Sequence, residues 1–260
     1  MAYQYIKVDR EGPVTIFTLN RPEVMNALHS PAHFEMHEAL DAFAADPEQW
    51  VGIVTGAGER AFSAGNDLKH QASGGKMGNP ASGFAGLTSR FDLAKPLIAA
   101  VNGVAMGGGF EIALACDIII ASDQAVFSLP EPRVGLAALA GGLHRLPRAI
   151  GTKRAMAMIL TARRVSAAEG QALGFVDQVT PAAGLMDAAR AMAKTICELG
   201  PMSIRASKEA VYRGLDEPSL EAAIKGQNRY PAVAALYTSE DFKEGPLAFA
   251  QKRAPQWKGR

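Results

Sequence analysis

Two glutamates stand where chemistry is a good reason for a carboxylate. Glu111 follows Gly107-Gly108-Gly109-Phe110 and precedes Ile112, Ala113 and Leu114. An acid in such company is expensive to bury unless it is paired or does work, and desolvation moves its pKa towards values useful for proton transfer. A strand is expected to run into the three glycines and a short apolar helix to leave them, so unpaired N–H groups and the positive end of a helix dipole would face outward there. Such a terminus can hold an oxyanion. Close packing of a helix on a strand is the other use for glycines in this position. The second acid, Glu131, lies in Phe127-Ser128-Leu129-Pro130-Glu131-Pro132-Arg133. Pro132 disfavours a helical backbone at Glu131, and Pro130 fixes its own φ. The spacing fits a stiffened working acid, and equally a surface turn in which Arg133 pairs the carboxylate.

Other residue patterns point to chemistry and then fail on context. His29, His33 and His37 recur every four residues on one helical face, a spacing that metal ligands use. No HExxH is formed and no further ligand cluster is near, so a polar helix face is expected and no metal. His144 stands alone. Ser63 lies one glycine short of the G-x-S-x-G of a nucleophile elbow. Gly56-Ala57-Gly58-Glu59-Arg60-Ala61 follows a strand and matches a loose dinucleotide fingerprint. The acid expected about 20 residues on is missing, which leaves an ordinary glycine turn. Gly75-Lys76 lacks the Ser/Thr and the spacing of a phosphate-binding loop.

The elements that must position these residues alternate. Strands are expected at Tyr3–Val8, Val14–Leu19, Val51–Thr55, Leu97–Val101, Ile118–Ile120, Ala125–Ser128 and Phe175–Val179. Between them lie helical patterns at Pro31–Ala45, with Ser30 as N-cap, and at Gly108–Cys116, Gly151–Leu160, Ala167–Leu173 and Leu185–Leu199. After Pro201 the pattern is helical, with helices expected at Met202–Arg213, Ser219–Leu236 and Ser239–Arg253. The organisation expected is a core over 1–200 and a helical region over 201–260. The segment His70–Ser82, rich in Gly, Ser and Asn, reads as a mobile loop.

Composition narrows the partners. With 27 Lys+Arg against 26 Asp+Glu, there is no broad positive field for nucleic acid or an acidic membrane surface. Cys116 and Cys197 are the only cysteines, so neither a disulfide framework nor a cysteine zinc site is available, and a reducing cytoplasm fits best. The N-terminus lacks a secretory pattern. The most apolar stretch, Leu97–Ala121, is interrupted by Asn102, Glu111 and Asp117 and so reads as core, not membrane span.

Taken together, Phe62-Ser63-Ala64-Gly65-Asn66-Asp67-Leu68, Asn102-Gly103 through Gly107-Gly108-Gly109-Phe110-Glu111, Leu129-Pro130-Glu131 and Gly141-Gly142-Leu143-His144-Arg145-Leu146-Pro147 resemble the crotonase superfamily of enoyl-CoA hydratases and isomerases. The resemblance spans essentially the whole chain. It implies an α/β fold, a spiral of ββα turns with a helical C-terminal region that assembles trimers or hexamers. It further implies an oxyanion hole from the N–H groups of Asn66 and Gly108, and Glu111 and Glu131 as the two hydratase acids. Ala64, Asp67 and Leu68 would meet the adenine through their backbones, Ala27 would line the CoA channel, and Lys252 would reach a CoA phosphate, across subunits. Phe84 would help shape the acyl pocket. The implied activity is reversible addition of water to an enoyl-CoA thioester, with no metal or redox cofactor; isomerisation of the double bond through the same enolate is the alternative. A non-enzymic acyl-CoA-binding scaffold is disfavoured by the presence of both acids. Gly83-Phe84-Ala85-Gly86-Leu87-Thr88 and the tail from Glu244 to Arg260 look most like the crotonobetainyl-CoA hydratase branch. Asn66 departs from it, standing where that branch tends to have tryptophan, as does Ala137-Ala138-Leu139-Ala140 before Gly141.

Overall fold

Strands β1 (Ile6–Glu11) and β2 (Val14–Leu19) pair antiparallel around the Gly12 turn, and α1 (Ser30–Ala45) follows. The computed structural model describes residues 3–75 and 78–260. A strand–strand–helix turn then recurs: β3 (Val51–Gly56), β4 (Ala61–Ser63) and α2 (Leu68–Ala72); β5 (Leu97–Val101), β6 (Val104–Met106) and α3 (Gly108–Ala115); β7 (Ile118–Ser122), β8 (Val126–Ser128) and α4 (Gly142–Ile150). Next come α5 (Thr152–Thr161), β9 (Val165–Ser166), α6 (Ala167–Leu173), β10 (Gln178–Thr180) and α7 (Leu185–Cys197). The chain ends in α8 (Pro201–Asp216), α9 (Leu220–Gly226), α10 (Pro231–Thr238) and α11 (Glu240–Ala250).

The long strands form one sheet in the order β1-β2-β3-β5-β7-β10, and the short ones a second in the order β4-β6-β8-β9. Each turn therefore lays one strand in each sheet before its helix returns, which produces a spiral. Parallel register sets Ile16 beside Ile53 and Ile53 beside Ile98. With side chains alternating along each strand, these residues pack with Leu185, Ala189 and Ala193 of α7. The opposite face, with Phe17, Val54 and Ala99, joins the larger core with Met36 and Leu40 of α1 and Phe110 of α3. Burial on both faces is why these strands read as continuous apolar runs. Asn102 ties successive turns together: its Nδ2 donates to the carbonyls of Gly58 (2.7 Å) and Ala61 (3.2 Å), while its Oδ1 accepts from Gly56 N–H (3.2 Å).

The structure corrects the sequence reading at several points. Helix α1 begins at Ser30 with His29 as its cap residue, because Pro31, lacking an N–H, is at home in the first turn. The segment 70–82 is not wholly loop: its first three residues complete α2, which Asp67 caps through His70 N–H. Lys76 and Met77 of that segment lie outside the described residues. The single helix expected over Ser219–Leu236 is two, since Pro231 starts α10 and cannot donate within a continuing helix. The first strand lies at Ile6–Glu11 and the last at Gln178–Thr180, each displaced towards the C-terminus of the stretch expected. Glu131 opens a 3-10 turn, Glu131–Val134, instead of the extended backbone that Pro132 favours. Proline costs nothing at the start of such a turn, where no N–H is needed. After β3 the chain enters β4, not a helix, so the dinucleotide pattern is indeed a turn.

Candidate active site

The three glycines before Glu111 have three different tasks. Gly107 has φ +54, and a Cβ there would lie 2.9 Å from Glu131 Oε1. A Cβ on Gly108 would sit 2.6 Å from the ring of Phe84, and one on Gly109 would sit 2.1 Å from the carbonyl oxygen of Ser63. Packing and site geometry thus share one segment. On the facing loop Gly65 has φ +87, and its Cβ would be 2.8 Å from Gly108 N. Asn66 is therefore carried next to the start of α3. Among the described residues, neither the Asn66 N–H nor the Gly108 N–H donates to another backbone or side-chain group. Two uncommitted N–H groups thus lie at and beside the N-terminus of α3, the positive end of its dipole.

Both acids flank this point. Glu111 is 3% exposed, and its Oε1 accepts the Gly142 N–H at 2.8 Å, at the N-terminus of α4. Burial pushes its pKa up to about 7; the Gly142 N–H opposes the rise and the neighbouring Glu131 charge adds to it. Glu131 is half-buried, and its pKa is raised by burial as well. Its Oε2 is buried without a hydrogen-bond partner among the described residues, which favours the neutral acid. Arg133 does not pair it; that guanidinium donates to the Ala162 carbonyl at 3.3 Å. Two interacting acids whose pKa values burial raises can hold one proton between them near neutral pH.

The remaining candidates fall at different distances from this centre. Ala27 is buried, and its carbonyl accepts from Arg21 Nη1. The N–H groups of Ala64, Asp67 and Leu68 are all committed, to the carbonyls of Met25 (2.9 Å), Leu28 (2.8 Å) and Asn66 (3.0 Å). The Asp67 carboxylate pairs with Arg21 at 2.9 Å, and although burial opposes ionisation, the His70 N–H and Arg21 hold its pKa below the ordinary value. Lys252 is exposed just beyond α11, a helix that packs on α8 and α10. Ser63, fully buried, donates to Asn26 O and accepts from Gly65 N–H, which is a structural use. The described residues hold no group of three or more His, Cys, Asp or Glu placed to bind a metal.

The expectation for the histidine face needs correction. His33 is 1% exposed, against Phe84 and Ala85, and His29 6% exposed, between the rings of Tyr5 and His70, so these two form no solvated polar surface. Sequence reasoning also missed Arg145, whose Nη2 donates to Thr88 O at 2.9 Å and whose charge lowers the pKa of Glu111. The glycine pair before it, Gly141 with φ +106 and then Gly142, was the available sign of a helix start.

Comparison with known proteins agrees with this geometry. Residues 9–260 match the family model described as enoyl-CoA hydratase/isomerase. The carnitinyl-CoA dehydratase of Proteus mirabilis is 45% identical, covering 99% of both chains. The crystal structure of an enoyl-CoA hydratase from Mycobacterium marinum superposes with a TM-score of 0.92 at 38% identity, over 98% of this chain and 99% of that one. A carnitinyl-CoA hydratase from Mycobacterium avium gives 0.79 at 39% identity over the full length of both. With a match from β1 to the last residue, the same mixed α/β fold, and the glycine-led helix carrying its acid, the chain belongs to the enoyl-CoA hydratase/isomerase family.

Proposed function

We propose that this protein catalyses the reversible addition of water across the α,β double bond of an enoyl-CoA thioester. The observation that carries the reading is the pair of acids, buried Glu111 and half-buried Glu131, beside the two uncommitted N–H groups of Asn66 and Gly108. The thioester oxygen accepts from both N–H groups, the carbonyl is polarised, and C3 becomes electrophilic. Water attacks C3 and gives its proton to Glu111 while Glu131, protonated, delivers a proton to C2. The sum is one water added, and the pair regains its starting state by passing the proton from Glu111 to Glu131. No electron is gained or lost, so the step as written needs no redox cofactor, and none of it requires a metal. Isomerisation needs only one acid to shuttle a proton between carbons; the second acid, suited to orienting water, favours hydration. Glu111→Gln and Glu131→Gln should each lower kcat by at least about 10²-fold while still binding the CoA ester. Near-normal turnover in either variant removes that residue from the chemistry.

A crotonobetainyl-CoA-like substrate is the narrower reading, supported by relatives named carnitinyl-CoA dehydratase at 44–45% identity. A competition panel of crotonyl-, longer enoyl- and crotonobetainyl-CoA ranked by kcat/KM tests it. For the CoA, Ala27 lines the channel and the adenine meets Ala64, Asp67 and Leu68; with their N–H groups committed, the carbonyl of Ala64 is the acceptor left for an exocyclic amine. Lys252 serves a CoA phosphate in a neighbouring subunit of a homotrimer or homohexamer. Supporting assembly, Val211, Leu215, Leu220, Ile224 and Phe249 are all exposed on the helical region 201–260. A cytoplasmic setting fits two unpaired cysteines. Among the described residues, no helix is long and apolar enough to cross a membrane.

A further inference from the structure

We propose that His33 is a positioning residue that limits the acyl chain by holding Phe84 over Gly108, an inference that rests on the enoyl-CoA reading above. His33 and His37, one turn apart on α1, clasp the segment that bears Phe84. His33 Nδ1 accepts the Ala85 N–H at 3.0 Å, which places the ring proton on Nε2. The His33 ring lies 4.3 Å, centroid to centroid, from the ring of Phe84. Phe84 in turn closes on Gly108, where even a methyl group would stand 2.6 Å from its ring. One turn along α1, His37 Nδ1 meets Ser82 Oγ and Arg90 Nη2, each at 2.9 Å. Arg90 Nε also donates to the Gly86 carbonyl at 3.1 Å.

The clasp has a backbone to restrain. Ala85 has φ 53, a left-handed conformation that costs a residue with a Cβ and persists only where surroundings enforce it. A Cβ on Gly86 would lie 2.4 Å from the backbone of His37, so the segment is seated directly on α1. Burial and the neighbouring His29 keep the His33 pKa down at about 4, so the accepting lone pair is present at neutral pH. Without that acceptor the buried Ala85 N–H has no mate, and the strained turn loses a reason to hold its shape. Phe84 then moves off Gly108 and the space for an acyl chain lengthens.

The test measures kcat/KM for C4, C6, C8 and C10 enoyl-CoA with wild type, His33→Leu, His33→Ala, His33→Asn and Phe84→Ala. In the same proteins it follows amide hydrogen exchange across 83–88. His33→Leu should raise the C8-to-C4 ratio by about tenfold, in the same direction as Phe84→Ala, and speed exchange at Ala85. His33→Asn, whose amide oxygen can replace Nδ1, should return both towards wild type. His33→Ala carries the same expectation as Leu if the latter does not fold. An unchanged ratio in the Leu and Ala variants beside a changed one in Phe84→Ala overturns the inference. So does a uniform loss at every chain length that Asn does not rescue. Faster exchange at Ala85 with no hydration by wild type on any chain would instead sink the hydratase reading and leave the clasp standing.

Discussion

Replacing Glu111 by Gln should slow the enzyme yet stabilise the fold above neutral pH. The amide has nearly the same shape, and its oxygen can still accept the Gly142 N–H that now meets Oε1 at 2.8 Å. What it removes is a charge at a site 3% exposed to solvent. The Glu111 pKa rises from 4.5 to about 7 on folding, mainly through burial. Between those values the native state keeps a proton that the unfolded chain has lost, so stability falls as pH rises across that window. Below 4.5 both states are protonated and nothing is lost; above about 7 the loss is complete. At about 1.4 kcal/mol per tenfold in proton affinity, the difference comes to about 3 kcal/mol. For a chain of this size that is roughly 5–10 °C in Tm. Thermal and urea unfolding of wild type and Glu111→Gln without CoA ester, at fixed protein concentration, would be compared at pH 4.5 and pH 8. The variant should gain at pH 8 and nearly match wild type at pH 4.5. An offset of the same size at both pH values would refute the argument, because a packing effect does not titrate there. Glu131→Gln should share the sign, since burial raises that pKa too.

Gly109→Ala should destabilise by about 1–3 kcal/mol and cost about 10²-fold in hydration, because its Cβ would stand 2.1 Å from the Ser63 carbonyl and α3 must retreat with Gly108. Gly108→Ala meets first the Phe84 ring, a side chain and not backbone, and should unfold at a temperature nearer to wild type; the reverse order of unfolding temperatures would contradict this. Asn102→Ala should cost about 1–3 kcal/mol and speed hydrogen exchange at the Gly56 amide, which loses its side-chain acceptor. Sedimentation at micromolar concentration should give a trimer or hexamer, given the exposed Leu215, Leu220 and Phe249; a monomer would remove the cross-subunit role of Lys252.

What could be read from the sequence follows from the range of the forces involved. The long strands are legible because both faces are buried and their residues are uniformly apolar, as in Leu97–Val101. Strands β4 and β6 are three residues each, too short for alternation to declare itself, and β9 is shorter still. Helix α4 carries Pro147 inside, so its N-terminus beneath Glu111 is marked in the sequence only by Gly141-Gly142. The spacing of the α1 histidines places them on one face, but what covers that face arrives from residues 82–90, about 50 positions on. Glu111 is readable as singular because a carboxylate in apolar company is costly to bury, whereas Glu131, stiffened between two prolines, reads equally as a surface turn. Their meeting is not readable, since it depends on Gly107 at φ +54 admitting Glu131 beside the start of α3.

The two uses that the sequence leaves open for the glycines are not rivals in the structure. Gly109 is a packing glycine by any measure: with its Cβ 2.1 Å from Ser63 O, no other residue allows α3 to lie so close to β4. That closeness brings Gly108 N within 2.8 Å of where a Cβ on Gly65 would be, and hence sets the Gly108 N–H beside Asn66. Remove the packing and the two N–H groups part; fill Gly107 and Glu131 is displaced. The bland reading of the motif supplies the geometry that the functional reading requires, so a substitution in Gly107-Gly108-Gly109 should not separate fold from activity cleanly, whereas Glu111→Gln should.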